Sequence, residues 1–225
     1  MIFWEQPGYV VAFTTRAGGV SEGAFASLNL TVATGDDAQL VEENRRRACA
    51  ELGLDAERLS FNRQLHSTDV HQAGARGRGG DGLWTAEPGL PMLAFAADCV
   101  PIAIARTGGE RALAVLHAGW RGLANGIVDA GVAALGEGEL HAVVGPAIGP
   151  CCYEVGNEVS ALYDDDLTSA GKLDLWTAAE RSLRAAGVAH VERVDLCTHC
   201  HPELFFSHRR DGETFGAQGV LGAVA

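Results

Sequence analysis

Short apolar segments follow one another along this chain without the regular alternation of strand and helix that defines a parallel α/β fold. Unbroken apolar character and flanking turn residues predict strands at Tyr9–Thr15, Ala112–Leu116, Leu140–Val144 and Val191–Leu196. The segment Pro91–Ala105 contains two further apolar runs, interrupted by a short polar turn. This succession of short strands favours an α+β fold with mixed sheets over a doubly wound parallel sheet.

Three segments have helical periodicity. Asp36-Asp37 offers helix caps before apolar residues that recur at helical spacing from Leu40 to Gly53. Asn125–Leu135 and the amphipathic Leu173–Gly187 are predicted to be helices as well. No linker-like segment divides the 225 residues, so residues 1–225 are predicted to form one domain.

Composition and charge exclude several classes of function. The net charge of −12 repels phosphate backbones, which argues against nucleic-acid binding but leaves room for a small anionic substrate at a local arginine cluster. No apolar stretch approaches the roughly 20 residues of a membrane span, and no signal segment is recognisable. We therefore expect a cytoplasmic protein without a membrane partner, whose six cysteines are reduced thiols rather than a disulfide framework.

Three reactive side chains follow apolar runs or lie next to glycine. They are His66 in Asn62–Ser67, Cys99 in Ala97–Pro101, and His117 in Leu116–Gly122. Two imidazoles and one thiolate suit zinc or copper, and three protein ligands leave a fourth position open for water or substrate. Spacing alone also allows each of them to be an ordinary structural residue, because a free cysteine often packs as a small hydrophobe.

The same segments belong to a longer ordered series of motifs. The series comprises Thr15-Arg16-Ala17-Gly18-Gly19-Val20-Ser21, Ser27-Leu28-Asn29-Leu30, Glu43-Asn44-Arg45, Gln64-Leu65-His66, Ala97-Asp98-Cys99-Val100-Pro101, His117-Ala118-Gly119-Trp120-Arg121-Gly122, Gly145-Pro146-Ala147-Ile148-Gly149-Pro150 and Phe206-Ser207-His208-Arg209-Arg210-Asp211-Gly212. It resembles the YfiH-like family, once described as laccase-domain or polyphenol oxidase proteins and now as purine nucleoside phosphorylases. The resemblance extends over nearly the whole chain.

This resemblance implies an α-β-β-α sandwich with mixed β-sheets. It also implies a catalytic metal, zinc with copper as the alternative, held by His66, Cys99 and His117. The implied activity is phosphorolysis of adenosine, inosine, guanosine and methylthioadenosine to free base and sugar 1-phosphate, with adenosine deamination as a companion reaction. The expected partners are thus purine nucleosides and phosphate, and the expected assembly is a monomer or a weak homodimer.

Phosphorolysis needs cations for phosphate as well as a metal or proton donor for the leaving purine. Arg16 and Arg121 lie beside glycines that permit close backbone approach, so they are the candidate anion ligands, with an ordinary surface role as the alternative. Gln64 and Asn29, which lie in two of the matched motifs, complete the predicted substrate-binding set. Asp98 is predicted to orient a metal ligand or to cap a turn.

The C-terminal region departs from the family pattern. Relatives commonly continue Arg-Asp-Gly-x-Thr-Gly-Arg, whereas this chain reads Asp211-Gly212-Glu213-Thr214-Phe215-Gly216-Ala217 and lacks the second arginine. His208 stands where tyrosine is common.

Three other motifs resemble signatures of chemistry other than phosphorolysis. One motif, Cys197-Thr198-His199-Cys200-His201, matches the pattern of covalent haem attachment. It also contains the one His-x-His pair of the chain, and a single pair is too few for a multicopper cluster. A second zinc site is the better alternative for this motif. Gly77-x-Gly79-x-x-Gly82 matches a dinucleotide fingerprint but lacks its strand and helix, so Arg76–Gly82 is predicted to be a loop. The adjacency of Cys151 and Cys152 argues against joint binding of one metal.

Two competing functions stay open. The first is a cysteine hydrolase, for example a peptidoglycan-editing enzyme, with Cys99 as nucleophile and His117 as base. The second is a non-catalytic metal-binding or partner-binding module. A polyphenol oxidase of the laccase type is the least favoured, because the chain contains only two methionines and one His-x-His pair.

Overall fold

The computed structural model describes residues 1–225 and contains fourteen strands and six α-helices. The strands are β1 (Ile2–Trp4), β2 (Tyr9–Phe13), β3 (Ser60–Arg63), β4 (Val70–Gln72), β5 (Arg76–Gly79), β6 (Gly82–Thr85), β7 (Met92–Ala96), β8 (Val100–Arg106), β9 (Ala112–Ala118), β10 (Leu140–Val144), β11 (Thr168–Ser169), β12 (Lys172–Leu173), β13 (His190–Arg193) and β14 (Gln218–Val224). The helices are α1 (Ala38–Glu51), α2 (Trp120–Asn125), α3 (Ile127–Leu135), α4 (Asn157–Ser160), α5 (Leu175–Ala185) and α6 (His208–Asp211).

Twelve of the strands form two six-stranded mixed sheets. The first has the order β1-β2-β14-β7-β3-β5, and the second has the order β13-β10-β8-β9-β6-β4. Parallel pairs such as β3–β7 occur beside antiparallel pairs such as β8–β9 in the same sheets. The predicted mixed topology is therefore confirmed, and the first and last strands of the chain lie in the same sheet.

The alternation of side chains on β8 shows how the layers are arranged. Ile102 and Ile104 belong to the core under α3 and α5, whereas Ala103 and Ala105 belong to the core between the two sheets. Both faces of this strand are buried, which explains its unbroken apolar sequence. A third cluster packs α1 against the outer face of the first sheet. The resulting order of layers is helix, sheet, sheet, helix, as the resemblance implied.

The helices confirm the periodicity analysis except at their ends. Asp37 caps α1 by accepting hydrogen bonds from the backbone N–H groups of Gln39 and Leu40, and the helix ends just before Gly53. The helix predicted at Asn125–Leu135 is α3, which begins at Ile127 because Gly126, with a left-handed φ of 92°, separates it from the preceding short helix α2.

Three boundaries differ from prediction for identifiable reasons. Arg76–Gly79, predicted as a loop, forms the edge strand β5, which pairs with β3 through the backbone while its side chains stay largely exposed. The strand predicted at Val191–Leu196 is His190–Arg193, the stretch in register with β10. The helix predicted from Leu173 begins two residues later, because Leu173 pairs within β12 and Asp174 caps α5.

The three candidate ligands lie at the ends of strands from both sheets. His66 follows β3 in the first sheet, Cys99 lies in the connection between β7 of the first sheet and β8 of the second, and His117 lies near the end of β9. The crossing of the chain from one sheet to the other thus brings the three segments together. None of the helices has the length and apolar character that a membrane crossing requires.

Candidate metal centre

His66, Cys99 and His117 converge in the folded chain, although they are separated by up to 51 residues in sequence. One ligand atom from each lies within 4.8 Å of the other two. The Cys99 Sγ atom is 3.8 Å from His66 Nε2, and the two imidazole rings meet edge to face with their centroids 4.9 Å apart. Because two imidazoles and a thiolate are typical ligands of a transition metal, the cluster has the donor set of a metal centre.

The backbone at this cluster adopts unusual conformations. His66 has φ 58° and Asp98, the residue before Cys99, has φ 85°, and both values lie in a region that non-glycine residues seldom occupy. Gly119 is the N-cap residue of α2, and a Cβ atom there would lie 2.9 Å from the His66 ring and 3.0 Å from the Cys99 sulfur. Glycine at this position therefore lets the two ligands approach the helix N-terminus.

Asp81 is a buried carboxylate that connects two of the three ligands. Its Oδ1 atom accepts hydrogen bonds from the His66 N–H at 3.0 Å and from His117 Nδ1 at 2.8 Å. Its Oδ2 atom accepts from the Leu65 N–H and from both the N–H and the hydroxyl of Ser67. Asp81 thus holds the His66 turn in place and directs the other ring nitrogen of His117, Nε2, away from itself.

Cys99 and His117 shift each other's pKa values in opposite directions. Burial raises the pKa of the Cys99 thiol, but the charge and hydrogen bonds of His117, assisted by His66, outweigh it and lower that pKa to about 6. Burial lowers the pKa of His117, while the Cys99 thiolate and Asp81 outweigh it and raise that pKa to about 9. At neutral pH the thiolate is therefore already formed, whereas a metal must displace the proton of His117.

Metal affinity at this centre should rise with pH between the two pKa values. Cys99 is ionised above about pH 6 and His117 is protonated below about pH 9, so each bound ion releases one proton in this window. Apparent affinity should consequently increase about tenfold per pH unit from 6 to 9 and then level off. The measurement is the zinc concentration that half-protects Cys99 from a brief iodoacetamide pulse, quantified on its peptide. A pH-independent protection constant would contradict the proton competition.

A cavity of about 380 Å³ opens beside the three ligands. Its volume lies within the roughly 300–1,000 Å³ typical of small-molecule sites. All three candidate ligands line it, together with polar and aromatic side chains of the first sheet and of the C-terminal segment. These other lining residues include Arg63, Gln64, Phe95, His208 and Phe215.

The predicted substrate-binding residues occupy different positions. Gln64 lines the cavity, but its side-chain amide pairs with both the N–H and the carbonyl of Phe95 and so fixes the end of β7. Asn29 is fully buried and does not line the cavity, and its amide bonds Thr31, Asp36 and Ala217. The structure therefore does not bring Asn29 to the site, because its hydrogen bonds hold neighbouring loops together.

The two predicted anion ligands are not part of the cavity lining. The Arg16 guanidinium donates to the carbonyls of Ala26 and Pro202 and lies over the Phe206 ring, so it is engaged in loop packing. Arg121 is exposed and lies over the Trp120 ring, 4.1 Å from its centroid, with no carboxylate partner. Of the two guanidinium groups, that of Arg121 is the one whose charge remains available to an anion.

Two residues that sequence reasoning did not single out have direct roles in the geometry. Asp81 lies in the glycine-rich segment Gly77–Gly82, whose glycine spacing matches a dinucleotide fingerprint instead. Arg63 lines the cavity and its guanidinium has neither a hydrogen-bond nor an ion-pair partner. Asp98, by contrast, bonds the Thr198 hydroxyl at 2.6 Å and the Arg209 N–H at 2.7 Å, so it fastens the loop that precedes Cys99.

Fold and site together define an α-β-β-α sandwich protein with a His–Cys–His cluster at the edge of a small-molecule cavity. The model of the family described as multi-copper polyphenol oxidoreductase laccase matches residues 10–224. The chain belongs to this family.

Relatives from several bacteria agree with this assignment. Purine nucleoside phosphorylase YlmD of Geobacillus stearothermophilus is 38% identical over 242 residues, covering 93% of this chain and 88% of the relative. Purine nucleoside phosphorylase YfiH of Escherichia coli is 34% identical, covering 94% and 93%. The crystal structure of the Bacillus licheniformis hypothetical protein YfiH superposes with a TM-score of 0.90 at 30% identity, covering 96% of this chain and 93% of that one.

Proposed function

We infer that the chain is a metal-dependent purine nucleoside phosphorylase. Its substrates would be adenosine, inosine, guanosine and methylthioadenosine, and adenosine deamination would be a companion activity. The observation that carries the proposal is the convergence of His66, Cys99 and His117 on the wall of a cavity of nucleoside size. The names of the bacterial relatives support the same reaction class.

The donor set fits a single zinc ion better than a copper cluster. His66, Cys99 and His117 would hold the ion, and three protein ligands leave one position open, as a catalytic site requires. When bound, the metal would supply a Lewis acid for charge that develops on the substrate and an activated water for deamination. The Asp81–His117 hydrogen bond fits this role, because metal-binding histidines usually donate their second N–H to a carboxylate or carbonyl.

The remaining cavity residues suit a nucleoside and phosphate. In phosphorolysis a phosphate oxygen bonds to the ribose C1′ while the bond to the purine nitrogen breaks, and the base takes up a proton as it leaves. His208 and Phe215 meet edge to face with ring centroids 5.0 Å apart, and with Phe95 they offer aromatic surfaces for the purine. Arg63 supplies an unpaired cation for phosphate.

The decisive experiment is an inosine assay with and without phosphate on a preparation whose metal content is measured in parallel. The proposal expects phosphate-dependent release of hypoxanthine that a chelator suppresses and zinc restores. A cysteine hydrolase would keep its activity in chelator and lose it on alkylation. Stoichiometric metal without turnover of any purine nucleoside would contradict the proposal and favour a binding module.

Arg63→Ala should weaken phosphate use specifically. Loss of a charge-assisted hydrogen bond of about 1.5–3 kcal/mol should raise the KM for phosphate roughly 10–100-fold, with a smaller effect on the KM for inosine. The matched control is Arg78→Ala, an exposed arginine of β5 outside the cavity lining, which should leave both constants unchanged. If Arg121→Ala rather than Arg63→Ala raises the KM for phosphate, the anion site lies on the α2 side of the ligands.

A further inference from the structure

Four cysteines converge at a place distinct from the His–Cys–His centre. Cys151 and Cys152 lie in the turn after β10, and Cys197 and Cys200 lie in the segment after β13. All four sulfur atoms lie within 4.8 Å of one another, and all four cysteines are free thiols. The Cys200 sulfur is 3.7 Å from that of Cys151 and 3.4 Å from that of Cys152.

The backbone brings the two segments together independently of the sulfurs. Ala147 forms a parallel β-bridge with Cys197, and the Thr198 N–H donates to the Ala147 carbonyl at 3.1 Å. The Gly149 N–H points at the Cys197 sulfur at 3.2 Å. The Cys197–Cys200 segment closes into a tight turn in which the Cys200 N–H donates to the Cys197 carbonyl. A Cys-x-x-Cys turn with an N–H group directed at sulfur is suited to a thiolate ligand.

The sulfur separations fit tetrahedral coordination. Zinc–sulfur bonds of about 2.3 Å place the four sulfurs of a tetrathiolate site about 3.8 Å apart. The two contacts of the Cys200 sulfur, 3.7 and 3.4 Å, are within a few tenths of an ångström of that value, and the other pairs, all within 4.8 Å, need small side-chain adjustments. These separations are far longer than the roughly 2.05 Å of a disulfide bond.

Two cations are placed to offset the charge of such a site. Lys172 Nζ donates to the Cys151 carbonyl at 2.6 Å, and the Arg210 guanidinium donates to the carbonyls of Thr198 and His199. A divalent ion with four thiolates carries a net charge of minus two, and cations attached to both cysteine segments reduce its electrostatic cost.

We propose that Cys151, Cys152, Cys197 and Cys200 form a second, structural metal site that takes a divalent soft cation of the zinc class. Four protein ligands close the coordination sphere, so this site has no open position for a substrate. The adjacency of Cys151 and Cys152 is no obstacle, because the Cys-x-x-Cys turn supplies the other two ligands from across the fold.

The second site also supports the first. The Ile148 N–H donates to the Asp98 carbonyl at 2.9 Å, and Thr198 bonds the Asp98 carboxylate at 2.6 Å. Asp98 immediately precedes Cys99, so both cysteine segments are fastened to the loop that carries a ligand of the His–Cys–His centre. A metal at the four cysteines therefore stabilises the position of this loop.

The test is metal stoichiometry after anaerobic reconstitution with zinc and, separately, with cobalt(II) under reducing conditions. The full chain should bind two ions, Cys99→Ala and Cys200→Ser should each bind one, and the double variant should bind none. Cys49→Ser, at a buried cysteine outside both clusters, should still bind two. In cobalt-loaded Cys99→Ala protein, the ion should show the strong thiolate-to-cobalt charge transfer of a tetrathiolate site.

Two stoichiometries would overturn the second site. They are no ion in Cys99→Ala protein, or an unchanged stoichiometry in Cys200→Ser protein. If Cys200→Ser fails to fold, Cys152→Ser and the cobalt spectrum of the full chain decide the same question. A disulfide among the four cysteines that forms in place of metal uptake would identify a redox pair and would also overturn the proposal. None of these results depends on phosphorylase activity.

Discussion

Cys99→Ala is expected to remove the metal from the His–Cys–His centre and to lower phosphorolysis about a thousandfold. The substitution deletes one of three candidate ligand atoms and the only negative charge among them, leaving two imidazoles, the exposed one of His66 and the buried one of His117. Loss of metal-derived transition-state stabilisation of about 4 kcal/mol corresponds to three orders of magnitude in rate. The measurements are kcat/KM for inosine at saturating phosphate and metal content by elemental analysis.

A ligand-preserving variant separates the metal role of Cys99 from a nucleophilic role. Cys99→Asp retains a group that can bind zinc, so it should recover part of the metal and part of the activity lost in Cys99→Ala. A cysteine hydrolase would lose its nucleophile in both variants and recover nothing. Cys49→Ala is the control for removal of a buried thiol and should leave kcat/KM unchanged. Full activity of Cys99→Ala would contradict both mechanisms.

The elements that could be predicted from sequence are those whose side-chain pattern reflects their burial. β8 and β9 are buried on both faces, so their sequences are unbroken apolar runs. α1 carries a capping aspartate at one end and a glycine at the other. The candidate ligands His66, Cys99 and His117 are predicted by resemblance to a family, because their spacing along the chain contains no information on their convergence.

The features that could not be predicted depend on contacts between distant segments. β5 is held by backbone pairing with β3, and its exposed Arg-Gly-Arg-Gly sequence lacks any apolar pattern. β14 lies between β2 and β7, a position that only the assembled sheet defines. The four-cysteine cluster joins turns 48 residues apart, and the adjacency of Cys151 and Cys152 in the sequence contains no information on this convergence. The role of Asp81 likewise could not be predicted, because its hydrogen-bond partners lie after β3 and near the end of β9.

Asp81→Asn is expected to have the second large effect, on both metal binding and stability. The carboxylate accepts five hydrogen bonds, with at least two on each oxygen. An amide replaces one of those oxygens with an N–H₂ group that faces donors, so at least two of the donors lose their acceptor. We expect a decrease of about 2 kcal/mol or more in the free energy of unfolding, measured by urea denaturation of metal-free protein.

The same variant should weaken zinc binding at the His–Cys–His centre about 10–100-fold, because His117 loses the carboxylate that orients its ring and His66 loses the anchor of its turn. Asp69→Asn is the matched control, since Asp69 is an exposed carboxylate of the loop that carries His66 and its side chain has no partner. Wild-type zinc affinity in a destabilised Asp81→Asn protein would show that Asp81 stabilises the fold but does not contribute to zinc binding. Loss of affinity beyond the control, at a pH where both proteins are fully folded, would identify it as the residue that holds His117 in its metal-binding orientation.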